Sequence, residues 1–139
     1  EKALEAEKNG ALQEWAVEFL KVAGNNRKLS EIIAEKGSLH LGLIDYPVHK
    51  LKSEVGVGED FKWPEDEVTY NKRIDAMVES LQNGWKPAPL IATNFWEDYF
   101  EVSDGAHRHA ALLKAGIETY PTIFFFRDLH TKEAFENAI

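Results

Sequence analysis

The segment Tyr120 to Phe126 constrains the fold more than any other part of this chain. It is an apolar run closed by turns at both ends, the pattern of a strand buried on both faces of a sheet. Just before it, Tyr99 to Gly116 reads as a strand, a tight turn and a helix. The expected class is therefore α+β: a small mixed sheet with packed helices and an N-terminal helical extension. With 44% hydrophobic and 12% aromatic residues, a 139-residue chain can build one such core.

The remaining elements follow from spacing. Leu12, Trp15, Ala16, Phe19, Leu20 and Ala23 recur at three- and four-residue steps and predict an amphipathic helix ending near Gly24-Asn25-Asn26. A second short helix is expected, with Ser30 as its cap, Ile32 and Ile33 on its apolar side and Gly37 as its stop. These two helices make an extension over residues 1–38, packed on a main body of residues 39–139. Leu39 to Val48 predicts a strand, and Lys50 to Trp63 a loop of the length that carries function or moves. Pro64-Glu65-Asp66-Glu67 opens a helix whose face is Tyr70, Ile74, Met77, Val78 and Leu81, and Asn83-Gly84 closes it. Strands are expected at Pro89–Thr93 and Tyr99–Val102, a helix from about Ala106 to Lys114 closed by Gly116, and a last helix near Thr131 using Ala134 and Phe135.

Composition removes several function classes. The formal charge is −8, so the chain gains nothing from counterion release on a duplex, and direct DNA binding is disfavoured. Without cysteine there is no disulfide, thiolate zinc site or cysteine nucleophile, which suits a reducing cytoplasm. No stretch approaches the roughly 20 apolar residues of a membrane helix, and the charged start Glu1-Lys2-Ala3-Leu4-Glu5 does not read as a signal peptide. Cytoplasmic localisation and no membrane partner are the expectations.

The chemistry concentrates at Asp104-Gly105-Ala106-His107-Arg108. A Gly and a small Ala let a ligand approach the backbone, and the first amides of the helix lack partners within it. Such a terminus binds anions, and His107 and Arg108 add charge-assisted donors. Cations here oppose the helix dipole unless an anion compensates. The same residues also make an ordinary strand-to-helix turn. Asp104 has two open uses: as a helix cap, or as a holder of Mg²⁺ and acceptor of a proton from an attacking hydroxyl. His107 and His109 are two apart and point to different helix faces, so they cannot chelate one ion, and His109 is expected to face the core or a strand. Phe124-Phe125-Phe126 is expected to be core. Trp85, Trp96, Phe95, Tyr99 and Phe100 are either core, a stacking surface or a partner surface.

From about Leu43 to Arg127 the chain resembles the fold shared by the N-terminal domain of ParB partition proteins and by sulfiredoxin. The resemblance rests on the element order and on Asp104-Gly105-Ala106-His107-Arg108, which is similar to that superfamily's Gly-x-His-Arg nucleotide-binding element; Ala115-Gly116-Ile117 with Tyr120-Pro121 is similar to its exit. Sulfiredoxin activity is excluded, because a cysteine is needed where Ala106 stands. ParB proteins bind CTP, with a version richer in Arg and a helix-turn-helix domain after it. The spelling Asp-Gly-x-His-Arg is closest to the branch resembling free-serine kinases, which use ATP or ADP with Mg²⁺ on a small hydroxyl substrate.

That resemblance implies a nucleotide ligand (ATP/ADP or CTP) with Mg²⁺, bound by Gly105, Ala106, His107 and Arg108. It implies further phosphate contacts from Lys50 and Lys52 in the loop after the first strand, with Glu54 as general base or metal partner and Asp104 as catalytic group and metal ligand. A solvated charged loop is the plain alternative for His49 to Glu54. The expected function is an ATP/Mg²⁺-dependent phosphotransferase or nucleotide hydrolase. The alternatives are a non-catalytic ParB-like nucleotide switch reaching DNA only through a partner, a nuclease, which the acidic surface disfavours, or a scaffold with a decayed site. A homodimer is left open.

Overall fold

A computed structural model of the chain describes residues 2–22, 27–52, 67–95 and 99–139. The apolar run forms β4 (Thr119–Phe125), which lies inside a four-stranded sheet of order β1-β4-β2-β3. Its neighbours are β1 (His40–Pro47), antiparallel, and β2 (Leu90–Thr93), parallel. β3 (Glu101–Asp104) lies antiparallel on the far side of β2. The sheet is mixed, as expected.

Alternation along β4 sends successive side chains to opposite faces. Ile123 and Phe125 join Ile91 on one face, beneath Leu12, Ala16 and Leu20 of α2 (Leu12–Val22) and Leu29 and Ile33 of α3 (Arg27–Lys36). Phe124 goes to the other face with Leu90, Ala92 and Val102. There it meets Leu112 of α5 (Ala106–Lys114) and Phe135 of α6 (Leu129–Ala138). Helices therefore cover both faces, and among the described residues the N-terminal ones form the cover of one of them. A preceding helix, α1 (Lys2–Lys8), buries Ala3 and was not foreseen from the sequence.

α4 (Glu67–Gln82) packs on α5, with Tyr70 and Ile74 against Ala111 and with Met77, Val78 and Leu81 at the margin. This is the face its spacing predicted. Asn83-Gly84 ends it, Gly84 having φ of +95°.

Three expectations need correction. Ser30 is not a cap: α3 starts at Arg27, so Ser30 lies inside the helix, is buried, and donates from Oγ to the Val17 carbonyl at 2.9 Å, tying α3 to α2. The third strand is Glu101–Asp104 rather than Tyr99–Val102, because pairing with Ile91, Ala92 and Thr93 fixes it there. In α6, Phe135 is buried but Ala134 is exposed, and Asp128 is the cap, accepting from the Thr131 amide at 2.8 Å. No described helix is long and apolar enough to cross a membrane.

Candidate functional site

The turn is built by β3 delivering the chain to Gly105, which adopts φ 101°, ψ 29° and occupies the N-cap position of α5. This left-handed conformation is open to glycine and costly for a residue with Cβ. Asp104 is the last residue of β3, opposite Ile91, and so stands one position before the N-cap. The first ladder bond of α5 runs from the His109 amide to the Gly105 carbonyl (2.7 Å). The amides of Ala106, His107 and Arg108 thus have no acceptor within the helix. No acidic residue stands in this first turn. The positive end of the helix dipole is therefore reinforced rather than neutralised by its own side chains.

Arg108 curls back over the turn. A Cβ on Gly105 would stand 2.6 Å from its Nη2, 2.9 Å from Nε and 3.0 Å from Cζ, so the guanidinium lies directly on the glycine. Nη2 also donates to the Pro89 carbonyl at 3.2 Å, and Cζ lies 5.6 Å from the centroid of the Phe19 ring. A guanidinium carries five N–H donors on a planar group, so it can serve several acceptors at once. His107, half-buried, sits beside the wholly buried Tyr70 of α4, ring centroids 5.2 Å apart. Amide donors and a guanidinium thus meet at Gly105, while the neighbouring imidazole packs against α4.

The loop residues divide. Val48–Lys50 form a short 3-10 turn that is anchored to α5, since the buried His109 donates from Nε2 to the Val48 carbonyl at 3.0 Å. The acceptor is a carbonyl, so this nitrogen carries the proton. Exposed Lys50 ends the anchored turn. Lys52, also exposed, bridges Glu101 at the start of β3, its carbonyl accepting from Val102 at 2.7 Å and its Nζ 4.5 Å above the Tyr99 ring. That is the opposite end of β3 from Gly105, roughly 13 Å of extended backbone away. Glu54 and the side chain of Asp104 lie outside the described residues.

Burial holds His109 below the usual imidazole value of 6.5, an effect partly offset by the bond to Val48. A histidine depressed in the folded state is neutral there, while the unfolded chain takes up a proton below about 6.5. Its contribution to stability is full above that pH and is lost as the pH falls toward the folded value. The urea midpoint of the wild type should therefore fall between pH 7 and pH 5.5. His109→Gln, less stable at neutral pH, should show a flatter dependence; equal slopes in the two proteins would remove His109 from the acid response.

Reading the sequence missed Phe19, Pro89 and Tyr70 as neighbours of the turn. Each reaches it from a distant segment, and no local pattern marks such contacts. Among the described residues no group of three or more His, Asp or Glu side chains could hold a metal ion. No protein-family model matches the chain, and a search of curated proteins finds no match either.

Proposed function

We propose that this chain binds the phosphates of a nucleotide at Gly105, Ala106, His107 and Arg108, and that it does so as a phosphotransferase or nucleotide hydrolase of the ParB/sulfiredoxin-like kind. One observation carries the reading: the Arg108 guanidinium rests on a left-handed glycine at the N-terminus of α5, where three backbone amides lack acceptors within the helix. The order β1, α4, β2, β3, α5, β4 also agrees with the resemblance drawn from the sequence.

In this reading the amides and the guanidinium take the phosphate oxygens, and His107 adds a donor beside them. Catalysis by such a site is positioning and charge neutralisation. Magnesium would be held by Asp104 together with phosphate oxygens and water, a sparse protein ligand set of the kind this ion usually has beside phosphates. It would supply charge neutralisation. Glu54 is the proposed base for a small hydroxyl acceptor, and Lys50 adds charge from the turn anchored to α5.

Thermal shift with ATP, ADP, CTP and GTP, with and without magnesium, tests the binding. A nucleotide at about 100 times its dissociation constant adds about 2.7 kcal/mol of stability, roughly 5–10 °C in a domain of this size. No shift with any of the four would end the proposal. For the phosphotransferase form, Glu54→Ala should abolish turnover while leaving nucleotide affinity nearly intact, and equal turnover in both proteins would remove Glu54 from the mechanism. Amide and guanidinium donors at Gly105 suffice to hold phosphates without chemistry, which is the second reading, a nucleotide switch without turnover. Steady release of phosphate or ADP separates the two.

A further inference from the structure

The cation of the proposed phosphate seat is held by a part of the chain far from it in sequence. The Arg108 guanidinium has Gly105 against it at a distance that leaves no room for a Cβ. An edge is fixed by the Pro89 carbonyl, 3.2 Å from Nη2. Phe19 of α2 presents its ring to Cζ at 5.6 Å, within the range where a cation is attracted to an aromatic face. Phe19 is itself braced, because Trp15 one turn earlier stacks on it with centroids 5.0 Å apart and planes 12° from parallel. The other side of α2 is locked to the sheet through Leu12, Ala16 and Leu20.

From this we infer that Phe19 is a positioning residue for Arg108, and that the N-terminal helical layer governs whether the guanidinium is presented at the turn. Arginine has a long side chain with much rotamer freedom, and at a helix N-terminus the dipole repels it. Left to itself it would swing into solvent. The Phe19 face, the Pro89 carbonyl and the missing Cβ of Gly105 together hold it where an anion would gain from it. Because Phe19 is carried by α2, the layer that covers one sheet face also sets how the cation is held at the site. The regulatory half of this inference rests on the phosphate reading; the positioning half does not.

The test uses Phe19→Leu, which keeps an apolar side chain but removes the aromatic face, and Phe19→Tyr, which restores that face. The chain has four arginines, so the Nε–Hε signal of Arg108 can be assigned by its loss in Arg108→Lys. In the wild type that signal should exchange slowly with water. It should become fast in Phe19→Leu and slow again in Phe19→Tyr. Affinity for inorganic pyrophosphate, measured by titration calorimetry, should fall about fivefold in Phe19→Leu and recover in Phe19→Tyr.

An Arg108 signal unchanged by Phe19→Leu overturns the inference. So does a changed signal with unchanged pyrophosphate affinity, since Phe19 would then serve packing alone. If the wild type binds no pyrophosphate, the phosphate reading falls and the regulatory role with it, while the Arg108 signal still decides whether Phe19 positions the side chain. Should Phe19→Leu fail to fold, Trp15→Leu, which removes only the brace, is expected to give the same faster exchange in weaker form; exchange as slow as in the wild type then overturns the inference.

Discussion

Phe124→Ala and Phe125→Ala should each lower the unfolding free energy by about 3–5 kcal/mol, although the two rings lie on opposite faces of the sheet. Both side chains are fully buried. Phe124 sits among Tyr46, Phe100 and Phe135, with ring centroids 4.9, 5.2 and 4.5 Å away. Its removal leaves a cavity walled by large rigid rings that cannot collapse into it. Phe125 lies under α2 and α3 with Ile91 and Ile123, so its loss loosens the seam on which the N-terminal helices rest. A domain of ordinary stability has only about 5–15 kcal/mol in hand, so either change consumes a large part of it. Urea unfolding should show a lower midpoint with an unchanged slope in both variants. Leu113→Ala, at a 44% exposed position of α5, is the control and should stay within about 0.5 kcal/mol of the wild type. A small cost for Phe125→Ala alone would mean that α2 and α3 do not seal that face.

This symmetry explains what the sequence could and could not reveal. Four consecutive apolar residues, Ile123 to Phe126, require partners on both faces of β4, and that much is readable locally. What supplies the second face is not. Leu12, Ala16 and Leu20 announce a helix by their spacing, but spacing carries no address, so the docking of α2 over Ile91 and Phe125 appears only in three dimensions. Ser30 shows the same limit: a serine near a helix start suggests a cap, whereas its bond to Val17 belongs to the contact between two helices. α1 went unread because Lys2 to Lys8 has only Ala3, Leu4 and Ala6 among charged residues, too few to define a face.

At the candidate site, local rules served well where the chemistry is local. The approximate bounds of α5 were legible because positive-φ glycines flank it, Gly105 before and Gly116 after. The third strand was displaced because Tyr99 and Phe100 have the side chains strands favour, yet Tyr99 is 42% exposed and Phe100 packs inward from outside the strand. Pairing with β2 decided the matter, and pairing is not a property of one segment. The fixed direction of Arg108 was equally invisible, since Phe19 and Pro89 reach it from separate elements.

Gly105→Ala should abolish nucleotide binding while lowering stability only moderately, and Gly116→Ala shows why the two effects separate. Both glycines have positive φ, 101° and 77°, so alanine at either costs about 1–2 kcal/mol of backbone strain. Around Gly116 a Cβ would meet nothing within 4 Å. At Gly105 it would meet the guanidinium at 2.6–3.0 Å. That neighbour is the end of a flexible side chain, so it swings away rather than forcing the sheet apart, and unfolding should register little beyond the strain. Binding should register much more. Displacing Arg108 removes a charge-assisted donor of about 1.5–3 kcal/mol, a loss of roughly 10- to 150-fold in affinity. On the proposed reading the methyl group would also crowd phosphate oxygens approaching the first amides of α5, which takes the loss further. In a thermal-shift titration the two alanine variants should melt at similarly lowered temperatures without ligand. Adding nucleotide should raise the melting temperature of Gly116→Ala as it does the wild type, and leave Gly105→Ala unmoved. If the Gly105→Ala protein still responds, phosphates do not sit against this turn, and the cations gathered there bind nothing that depends on the bare backbone of residue 105.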